Sequence, residues 1–105
     1  MSPQPKIEIA DAPERDRYEI RVDGTLAGFA KYDRGPGQIA FTHTEVEDRF
    51  EGRGLGGKLI RFGLREAREG GLAVLPFCPF VKDFVQRHRE YAELVPAARR
   101  AEFGL

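Results

Sequence analysis

The stretch Phe50-Glu51-Gly52-Arg53-Gly54-Leu55-Gly56-Gly57-Lys58 organises this chain, because it is a glycine-rich turn that runs directly into a helix predicted to end near Gly70. Four glycines within six positions keep side chains away from the backbone. Several N–H groups can then converge on one anion at a helix N-terminus, where the helix dipole also favours negative charge. The stretch therefore predicts a phosphate-binding turn.

The dinucleotide fingerprint G-x-G-x-x-G matches Gly52, Gly54 and Gly57 by letters, but its context is wrong. That fingerprint needs a strand ending directly before its first glycine, and a carboxylate about twenty residues further on. Here the preceding strand is predicted to end at Val46, and the next strand finishes in Leu75-Pro76-Phe77-Cys78 without a carboxylate. A dinucleotide site is therefore not predicted.

The triphosphate loop G-x-x-x-x-G-K-[ST] matches from Gly52 to Lys58, but Leu59 stands where a Ser or Thr should hold magnesium. No hydrophobic run ending in Asp follows later in the chain. This loop is therefore not predicted either. A plain structural alternative stays open, in which the glycines only make a tight turn and let the helix pack closely.

A third phosphate loop fits the context and all but one of the letters. Arg53-Gly54-Leu55-Gly56 and the helix behind it resemble the pyrophosphate loop of the GCN5-related N-acetyltransferases, which reads Gln/Arg-x-x-Gly-x-Gly/Ala after the fourth strand. The preceding Thr42-His43-Thr44-Glu45-Val46 and the later Cys78-Pro79-Phe80-Val81 add to the resemblance. It covers Gln38 to Val95 and is closest to the small single-domain members. Glu51 departs from the pattern, so only the backbone role of the loop carries over.

The resemblance implies an α+β fold of the acyl-CoA N-acyltransferase type in minimal form: an antiparallel β-meander, a glycine loop and helix, a parallel strand and a second helix. It implies acetyl coenzyme A as co-substrate, no metal, and an amine of a protein or small molecule as acceptor. It places Glu45 and Val46 beside the pantetheine arm. The residues that it implies around the pyrophosphate are Gly52, Arg53, Gly54, Leu55, Gly56, Gly57 and Lys58.

Two other functions stay open. The chain is short and lacks the later strands that usually wall the acceptor site, so it could bind coenzyme A as a non-catalytic module or sensor. A structural or interaction domain without a ligand is the other possibility.

Composition limits the classes of protein further. A chain of 105 residues has room for one domain, predicted over residues 6–105 after a disordered lead of residues 1–5. Lys plus Arg and Asp plus Glu are equal at 17 each, so no net charge recruits nucleic acid or a membrane. The high charged content, 32%, predicts a monomer or a weak dimer.

The N-terminal segment and the single cysteine bear on the compartment. One Cys excludes an intrachain disulfide and predicts a reducing environment, and no Cys and His run has zinc spacing. The first residues lack an apolar signal core, and nowhere do 18 apolar residues run together. We therefore expect a cytoplasmic protein.

The first half of the chain reads as strands. Alternating apolar residues predict a short edge strand at Ile7 and Ile9 and a second strand from Tyr18 to Val22. Asp23-Gly24 predicts a tight hairpin turn. The return strand is predicted from Leu26 to about Tyr32, and a central strand from Gln38 to Val46.

Helical periodicity governs the second half. Leu55 to Glu69 carries apolar residues on one side, and Gly70-Gly71 predicts its end. Leu72-Ala73-Val74-Leu75 predicts a buried strand parallel to the strand ending at Val46. A second helix is predicted from Pro79, with Phe80, Val81, Phe84, Val85 and His88 on its buried face. Residues 97–103 could hold a final helical turn.

Cys78 is a candidate catalytic residue. With Pro79 as the first helical residue, Cys78 is predicted to be the N-cap, where the helix dipole stabilises a thiolate. It could be an acyl acceptor or contact the acetyl-bearing sulfur. The alternative is packing, because free cysteines are among the most buried residues.

Glu45 is the candidate general base. A carboxylate near the end of a central strand would be costly to desolvate, which favours accepting a proton near neutral pH. The alternative is a carboxylate in water at the rim of the sheet. Strand alternation predicts that His43, Glu45 and Phe41 share one face, opposite Thr42 and Thr44.

Three further groups have weaker claims. His43 has a suitable basicity but fits a structural role. His88 is expected to be a core or cap histidine, and Tyr91 resembles the tyrosine that many acetyltransferases use as general acid, although packing is the alternative.

Overall fold

The computed structural model describes residues 4–105 and contains a five-stranded sheet in the order β1-β2-β3-β4-β5. The strands are β1 (Ile7–Ala12), β2 (Arg17–Val22), β3 (Thr25–Gly35), β4 (Gln38–Val46) and β5 (Ala73–Pro76). The helices are α1 (Leu55–Glu69) and α2 (Pro79–Arg87), with 3₁₀ segments at Pro13–Arg15, Asp48–Phe50, Arg89–Leu94 and Ala97–Phe103. The predicted mixed α+β fold is confirmed.

The predicted lead of residues 1–5 falls partly on residues 1–3, which lie outside the described residues. Gln4 and Pro5 are exposed and have no regular secondary structure. Within residues 4–105, no helix has both the length and the apolar character to span a bilayer.

Strands β1 to β4 form the predicted antiparallel meander. Asp23 and Gly24 both have positive φ, 49° and 83°, which is the backbone geometry that a two-residue hairpin turn requires. Strand β3 runs to Gly35, three residues beyond its predicted end. It continues because Asp33 to Gly35 pair with Gln38 to Ala40, so that Pro36 and Gly37 alone make the next turn.

The parallel pair of β4 and β5 is confirmed, with a register from Gln38↔Ala73 to Phe41↔Pro76. Strand β5 begins one residue later than predicted, because the Leu72 N–H donates to the Ala67 carbonyl and so completes the end of α1. The Cys78 N–H donates to the Phe41 carbonyl at 2.8 Å. The ladder register stops at Phe41, and residues 42–46 of β4 extend beyond it.

A β-bulge divides β4. Phe41 pairs with Tyr32, but the next β3 residue along the ladder, Lys31, pairs with His43. Thr42 is therefore the extra residue of the bulge. The prediction that Phe41 shares a face with His43 and Glu45 is wrong, because the extra residue reverses the alternation of side chains beyond it. His43 and Glu45 do share a face, opposite Thr44, as predicted.

The bulge sorts the end of β4 onto two faces. Thr44 pairs with Ala30 and Val46 with Gly28, so both lie on the face that α1 covers. Glu45 pairs with Phe29, and Phe29 pairs with Glu19, which places these residues on the opposite face. We call this opposite face of β2 to β4 the polar face; it carries Arg17, Glu19, Phe29, His43 and Glu45.

Helix α1 packs closely on the sheet through a glycine. A Cβ at Gly63 would lie 3.2 Å from the Phe41 ring and 3.3 Å from Tyr18, closer than a well-packed side chain allows. The buried residues of α1 include Leu59, Ile60 and Leu64, in agreement with the predicted apolar side. This contact sets how closely the middle of α1 lies to the sheet at Phe41 and Tyr18.

Helix α2 begins at Pro79 with Cys78 as its N-cap, as predicted. Its buried residues are Val81, Phe84 and Val85. Phe80 was also predicted to be buried, but it is 45% exposed. Its ring instead stands beside the start of α1.

Candidate functional site

The start of α1 has backbone N–H groups that the turn before it does not cap. Gly52 and Gly54 have φ of 80° and 72°, backbone angles that residues other than glycine rarely adopt. Gly54 is the N-cap and supplies no side-chain cap. The first hydrogen bond within α1 runs from the Lys58 N–H to the Gly54 carbonyl at 3.2 Å. The N–H groups of residues 55–57 therefore have no acceptor within the helix.

The same turn borders a cleft of about 450 Å³. We call it the glycine-loop cleft; its lining residues are Thr44, Val46, Phe50, Glu51, Gly52, Gly54, Leu55, Gly56, Gly57 and Phe80. A Cβ added at Gly52 or Gly54 would meet nothing within 4 Å. A ligand can thus approach the backbone directly at these two positions.

Most of the residues predicted to bind the cofactor lie together in this cleft. Those that line it are Val46, Gly52, Gly54, Leu55, Gly56 and Gly57. Arg53 and Lys58 do not line it. The Arg53 guanidinium lies 5.3 Å from the centre of the Phe50 ring, and Lys58 is exposed on α1. Both side chains can add positive charge only from the rim.

Four lining residues were absent from the predicted set: Thr44, Phe50, Glu51 and Phe80. The sequence did place Phe80 in the first turn of the predicted second helix, because it follows the Cys78-Pro79 pair. A Cβ at Gly56 would come within 2.6 Å of the Phe80 ring, so these two positions are closely packed. Nothing local indicated that Phe80 would contact the start of α1.

Cys78 is buried, with 3% of its surface exposed. Its S–H donates to Thr44 Oγ1 at 3.5 Å, which links the start of α2 to the wall of the glycine-loop cleft. Its carbonyl accepts from the Lys82 N–H at 2.9 Å. The thiol thus lies one residue behind the cleft surface, in contact with a residue that lines it.

Glu45 lies on the polar face, away from Cys78. The Glu45 side chain is 61% exposed, and its Oε1 lies 3.0 Å from His43 Nε2. The burial that was expected for this carboxylate is absent, because Glu45 lies on the face of β4 opposite α1, near the end of the strand. The structure brings Glu45 together with His43, and it brings Cys78 together with Thr44.

A second cleft, of about 660 Å³, adjoins Glu45. We call it the acidic groove; its lining residues are Leu26, Gly28, Phe29, Glu45, Val46, Glu47, Asp48 and Arg49. Val46 lines both clefts. The two clefts therefore meet at the end of β4.

Another carboxylate of the polar face has a very different environment. Glu19 is 7% exposed and accepts hydrogen bonds from Arg15, Arg17 and Arg21 at 3.1, 2.8 and 3.2 Å. Burial acts to raise the pKa of Glu19, but the hydrogen bonds and charges of Arg17 and Arg15 outweigh it and hold the pKa below its ordinary value. Glu19 is therefore a structural ion-pair centre.

Comparison with known proteins agrees with this geometry. A family model described as GCN5-related N-acetyl-transferase matches residues 17–94, well over half of the chain. The chain belongs to the GCN5-related N-acetyltransferase family. The predicted resemblance is thereby confirmed, and the match includes β4, the glycine turn, α1, β5 and α2.

A solved structure supports the fold. The NMR solution structure of a GCN5-like protein from Staphylococcus aureus superposes with a TM-score of 0.66. The two sequences are 24% identical over 84% of this chain and 86% of that chain. No curated protein matches the sequence.

The acetyltransferase-family resemblance also singled out Tyr91. Its ring is buried and its hydroxyl accepts from Arg61 at 3.3 Å, while Arg61 and Arg68 lie over the ring at 5.8 and 5.1 Å. Tyr91 does not line the glycine-loop cleft or the acidic groove. These contacts favour packing.

His88 is the C-cap of α2, as expected for a cap histidine, and its ring centre lies 4.2 Å from that of Phe84. With Arg87 it lines a smaller pocket of about 270 Å³, which shares Gly57 and Phe80 with the glycine-loop cleft. The glycine-loop cleft therefore adjoins a pocket between α1 and α2.

The donor set of the turn suits a coenzyme diphosphate. Free backbone N–H groups at a helix N-terminus and glycines open to solvent match an anion that needs close backbone approach. Glu51 also lines the cleft, and its negative charge makes the backbone, rather than side chains, the main source of attraction. Within residues 4–105, no group of three or more His, Cys, Asp and Glu is placed to hold a metal ion.

Proposed function

We propose that this protein transfers the acetyl group of acetyl coenzyme A to an amine. The observation that carries the proposal is the uncapped, glycine-lined start of α1 beside the end of β4, which pairs with β3 but extends beyond its ladder with β5, in a chain of the N-acetyltransferase family. Acetyl coenzyme A would supply the acetyl group as an activated thioester. The overall transfer forms one C–N bond, breaks the thioester C–S bond and moves one amine proton, through a base, to the departing sulfur, so that the coenzyme leaves as a thiol.

The role of the turn is to hold a diphosphate. The N–H groups of Leu55, Gly56 and Gly57 can donate to phosphate oxygens, and the dipole of α1 adds positive potential at the same point. Arg53 and Lys58 contribute charge from the rim. Val46 lies at the junction of both clefts, where it can pack against the arm that leads to the thioester.

Glu45 is our proposed base. A carboxylate that lines the acidic groove can accept the amine proton directly or through one water, since its side chain is open to solvent. His43, 3.0 Å away, orients the carboxylate. Cys78 is buried behind Thr44, which favours contact and positioning over nucleophilic attack.

The test is thiol release from acetyl coenzyme A with a panel of amines. We expect activity in the wild-type protein and a loss of about 100-fold or more in Glu45→Gln, the lower range for removal of a general base. Cys78→Ala should stay within about threefold of wild type if direct attack by the amine operates. Glu69→Gln removes an exposed carboxylate at the end of α1 and serves as the control.

An inactive protein that still binds the coenzyme is the second candidate. It is favoured by the sheet itself, which within residues 4–105 ends at β5 and has no further strand to wall an acceptor site. Thiol release equal to buffer, together with thermal stabilisation by acetyl coenzyme A, would establish this binding module. Saturation at 100 times the dissociation constant should stabilise the fold by about 2.7 kcal/mol. No stabilisation and no thiol release would contradict both candidates.

The setting of this activity is also part of the proposal. The single cysteine and balanced charge support a protein that works in the cytoplasm, as a monomer or weak dimer, without nucleic acid or membrane partners. Sedimentation with and without acetyl coenzyme A would test the oligomeric state.

A further inference from the structure

Strand β1 forms one edge of the sheet, and its outer side carries no ladder within residues 4–105. On its inner side, the Asp23 N–H donates to the Lys6 carbonyl at 2.8 Å, and the ladder with β2 continues from residue 7 to residue 12 without a register shift. Hydrogen-bonded and non-hydrogen-bonded pairs alternate along an antiparallel ladder. The backbone groups of residues 6, 8, 10 and 12 therefore face β2, and those of Ile7, Ile9 and Asp11 point away from the sheet.

The edge of β1 has little protection against pairing with another chain. Sheet edges are commonly protected by β-bulges, prolines or charged side chains, and β1 contains neither a bulge nor a proline. Lys6 lies 3.9 Å from Glu8, and Asp11 accepts from the Tyr32 hydroxyl and lies 3.8 Å from Arg34. The charges of the strand are thus paired within the protein, and the outward N–H and C=O groups stay open.

Two isoleucines extend the apolar core to this edge. Ile9 lies opposite Ile20 and packs against the core, and Ile7 lies opposite Val22 and is 40% exposed. Because Ile20 and Val22 are core residues, both isoleucines lie on the core face of the sheet. The core therefore reaches the open edge with an apolar side chain still partly in water.

A second copy of the same chain fits this edge. A two-fold axis makes the two strands antiparallel, and the register that uses all three outward residues places Ile9 opposite the partner's Ile9 and Ile7 opposite the partner's Asp11. This pairing forms about six backbone hydrogen bonds. Each Ile7 lies diagonally next to the partner's Ile9, within reach of an apolar contact. No like charges are directly opposite, since Glu8 meets the partner's Ala10.

The neighbouring registers are less favourable. Moving the strands by two residues in one direction places Glu8 opposite the partner's Glu8, and like charges in that position are destabilising. Moving them by two residues in the other direction brings Pro13, which has no N–H, into the ladder. The sequence of β1 therefore favours the register centred on Ile9.

We propose that the protein forms a two-fold dimer by pairing β1 with β1 of a second copy, so that one sheet continues through both copies. Ile7 and Ile9 of the two copies then form one apolar row that closes the core at the edge. Strand β1 lies three strand spacings, about 14 Å, from β4, so the glycine-loop cleft and the acidic groove stay open. A six-residue strand makes a small interface, which predicts weak and reversible association.

Sedimentation equilibrium of the full chain tests the association. Between about 10 µM and 1 mM, a range in which weak complexes form, the average mass should rise from that of the monomer toward that of the dimer. The mass of a single chain at every concentration would overturn the proposal.

Ile9→Lys and Ile9→Asp test the position of the two-fold axis. Each variant alone places like charges opposite each other and should weaken the dimer by at least about tenfold. An equimolar mixture of the two variants should associate again, because residue 9 then faces an opposite charge. Circular dichroism checks that each variant is folded. Unchanged association in the single variants, or no recovery in the mixture of folded variants, would overturn the proposal.

A cysteine pair at exposed positions tests the register without changing the core face. Glu8 and Ala10 are both exposed, and the native Cys78 is buried. In the proposed register residues 8 and 10 of the two copies form a non-hydrogen-bonded pair, whose Cα separation of about 4.5 Å suits a disulfide. A mixture of Glu8→Cys and Ala10→Cys should therefore link about tenfold faster under mild oxidation than a mixture of Glu69→Cys and Ala10→Cys. Equal rates would overturn the proposal.

The dimer does not depend on the proposed acetyl transfer, and the two can fail separately. Ile9→Lys should bind acetyl coenzyme A as tightly as the wild-type protein, because residue 9 lines neither cleft. An inactive protein that still dimerises through β1 would contradict the acetyltransferase and leave the dimer. An active protein that stays monomeric would contradict the dimer and leave the acetyltransferase.

Discussion

The two halves of β4 have the same backbone type but different environments. Gln38 to Phe41 is paired on both sides, with β3 and with β5, and Ile39 and Phe41 are fully buried. From Thr42 to Val46 the strand pairs with β3 only in the described ladders, and its side chains are exposed or half-buried. One half is scaffold, and the other lines both clefts.

The difference shows how a small domain can present a site without a separate loop. Strand β5 is only four residues long, so its pairing stops at Phe41 and exposes the rest of β4 at the edge of a rigid sheet. The bulge at Thr42 then places Thr44 and Val46, rather than His43 and Glu45, on the face that α1 covers. Four predictions test this division, from the largest expected effect to the smallest.

The first prediction concerns the buried half. Phe41→Ala should reduce the free energy of unfolding by about 3 to 5 kcal/mol, because the ring is fully buried between Gly63 and Tyr18 and its removal leaves a cavity. Urea unfolding followed by circular dichroism measures this. If Phe41→Ala does not fold, Phe41→Leu should show a smaller loss in the same direction. A loss below about 1 kcal/mol for Phe41→Ala would contradict the conclusion that this half of β4 belongs to the core.

The second prediction compares two carboxylates in one row of the polar face, Glu19 and Glu45. Glu19→Gln should cost about 2 kcal/mol at pH 7, since it removes a buried charge that three arginines contact. Because the folded-state pKa of Glu19 is lowered, its contribution is present above its ordinary pKa of 4.5 and is lost as pH falls through the folded-state value.

Measuring the free energy of unfolding from pH 7 down to pH 3 tests how the contribution of Glu19 changes with pH. The difference between wild type and Glu19→Gln should shrink below about pH 4.5. Glu45→Gln, which changes a 61% exposed carboxylate, is the matched control and should stay within about 0.5 kcal/mol of wild type at pH 7. A difference that grows on acidification would contradict this role of Glu19.

The third prediction concerns the glycine turn. Gly56→Ala places a Cβ within 2.6 Å of the Phe80 ring and should displace that ring from the wall of the cleft. We expect affinity for acetyl coenzyme A to fall about tenfold, equal to about 1.4 kcal/mol. Calorimetric titration measures it.

Two comparison variants sharpen this result. Gly57→Ala should change affinity less, because its Cβ would lie 3.7 Å from Phe84, an ordinary contact distance. In a Phe80→Ala background, Gly56→Ala should have little further effect, since the clashing ring is gone. Equal losses in both backgrounds would show that the Phe80 contact is irrelevant.

The smallest effect is expected in the exposed half of β4. Thr44→Val removes the oxygen that accepts from the Cys78 S–H at 3.5 Å but keeps a β-branched side chain of similar size. The free energy of unfolding should change by less than about 0.5 kcal/mol, because Thr44 is half-buried and the bond to sulfur is weak. A loss as large as that of Phe41→Ala would remove the distinction between the two halves.

Several parts of the fold could be predicted because they depend on neighbouring residues. The turn at Asp23-Gly24, the N-cap at Cys78 and the helix end at Gly70 follow from local backbone preferences, and the structure has all three. The glycine turn was predicted for the same reason. Six of the eight predicted cofactor residues line one cleft, because they are adjacent in sequence or follow directly from the strand before them.

The errors have a common cause in contacts between distant residues. The face of Glu45 was derived from alternation, which holds only until a strand gains an extra residue, and that residue is set by pairing between β3 and β4. Phe80 was placed on a buried face because periodicity identifies a side of a helix but not what lies against it. The Phe80 ring packs against Gly56, which belongs to a different helix, α1.

The amino-acid sequence alone determined the meander, the order of helices and strands, and a turn with free N–H groups, because each depends on short-range propensity and periodicity. Tertiary structure alone decided that β5 stops at Phe41, that Thr42 bulges, and that Thr44 and Val46, rather than Glu45, lie on the face that α1 covers. The physical reason is that the pairing of two strands sets the direction of every later side chain. That pairing depends on the partner strand as much as on the strand itself.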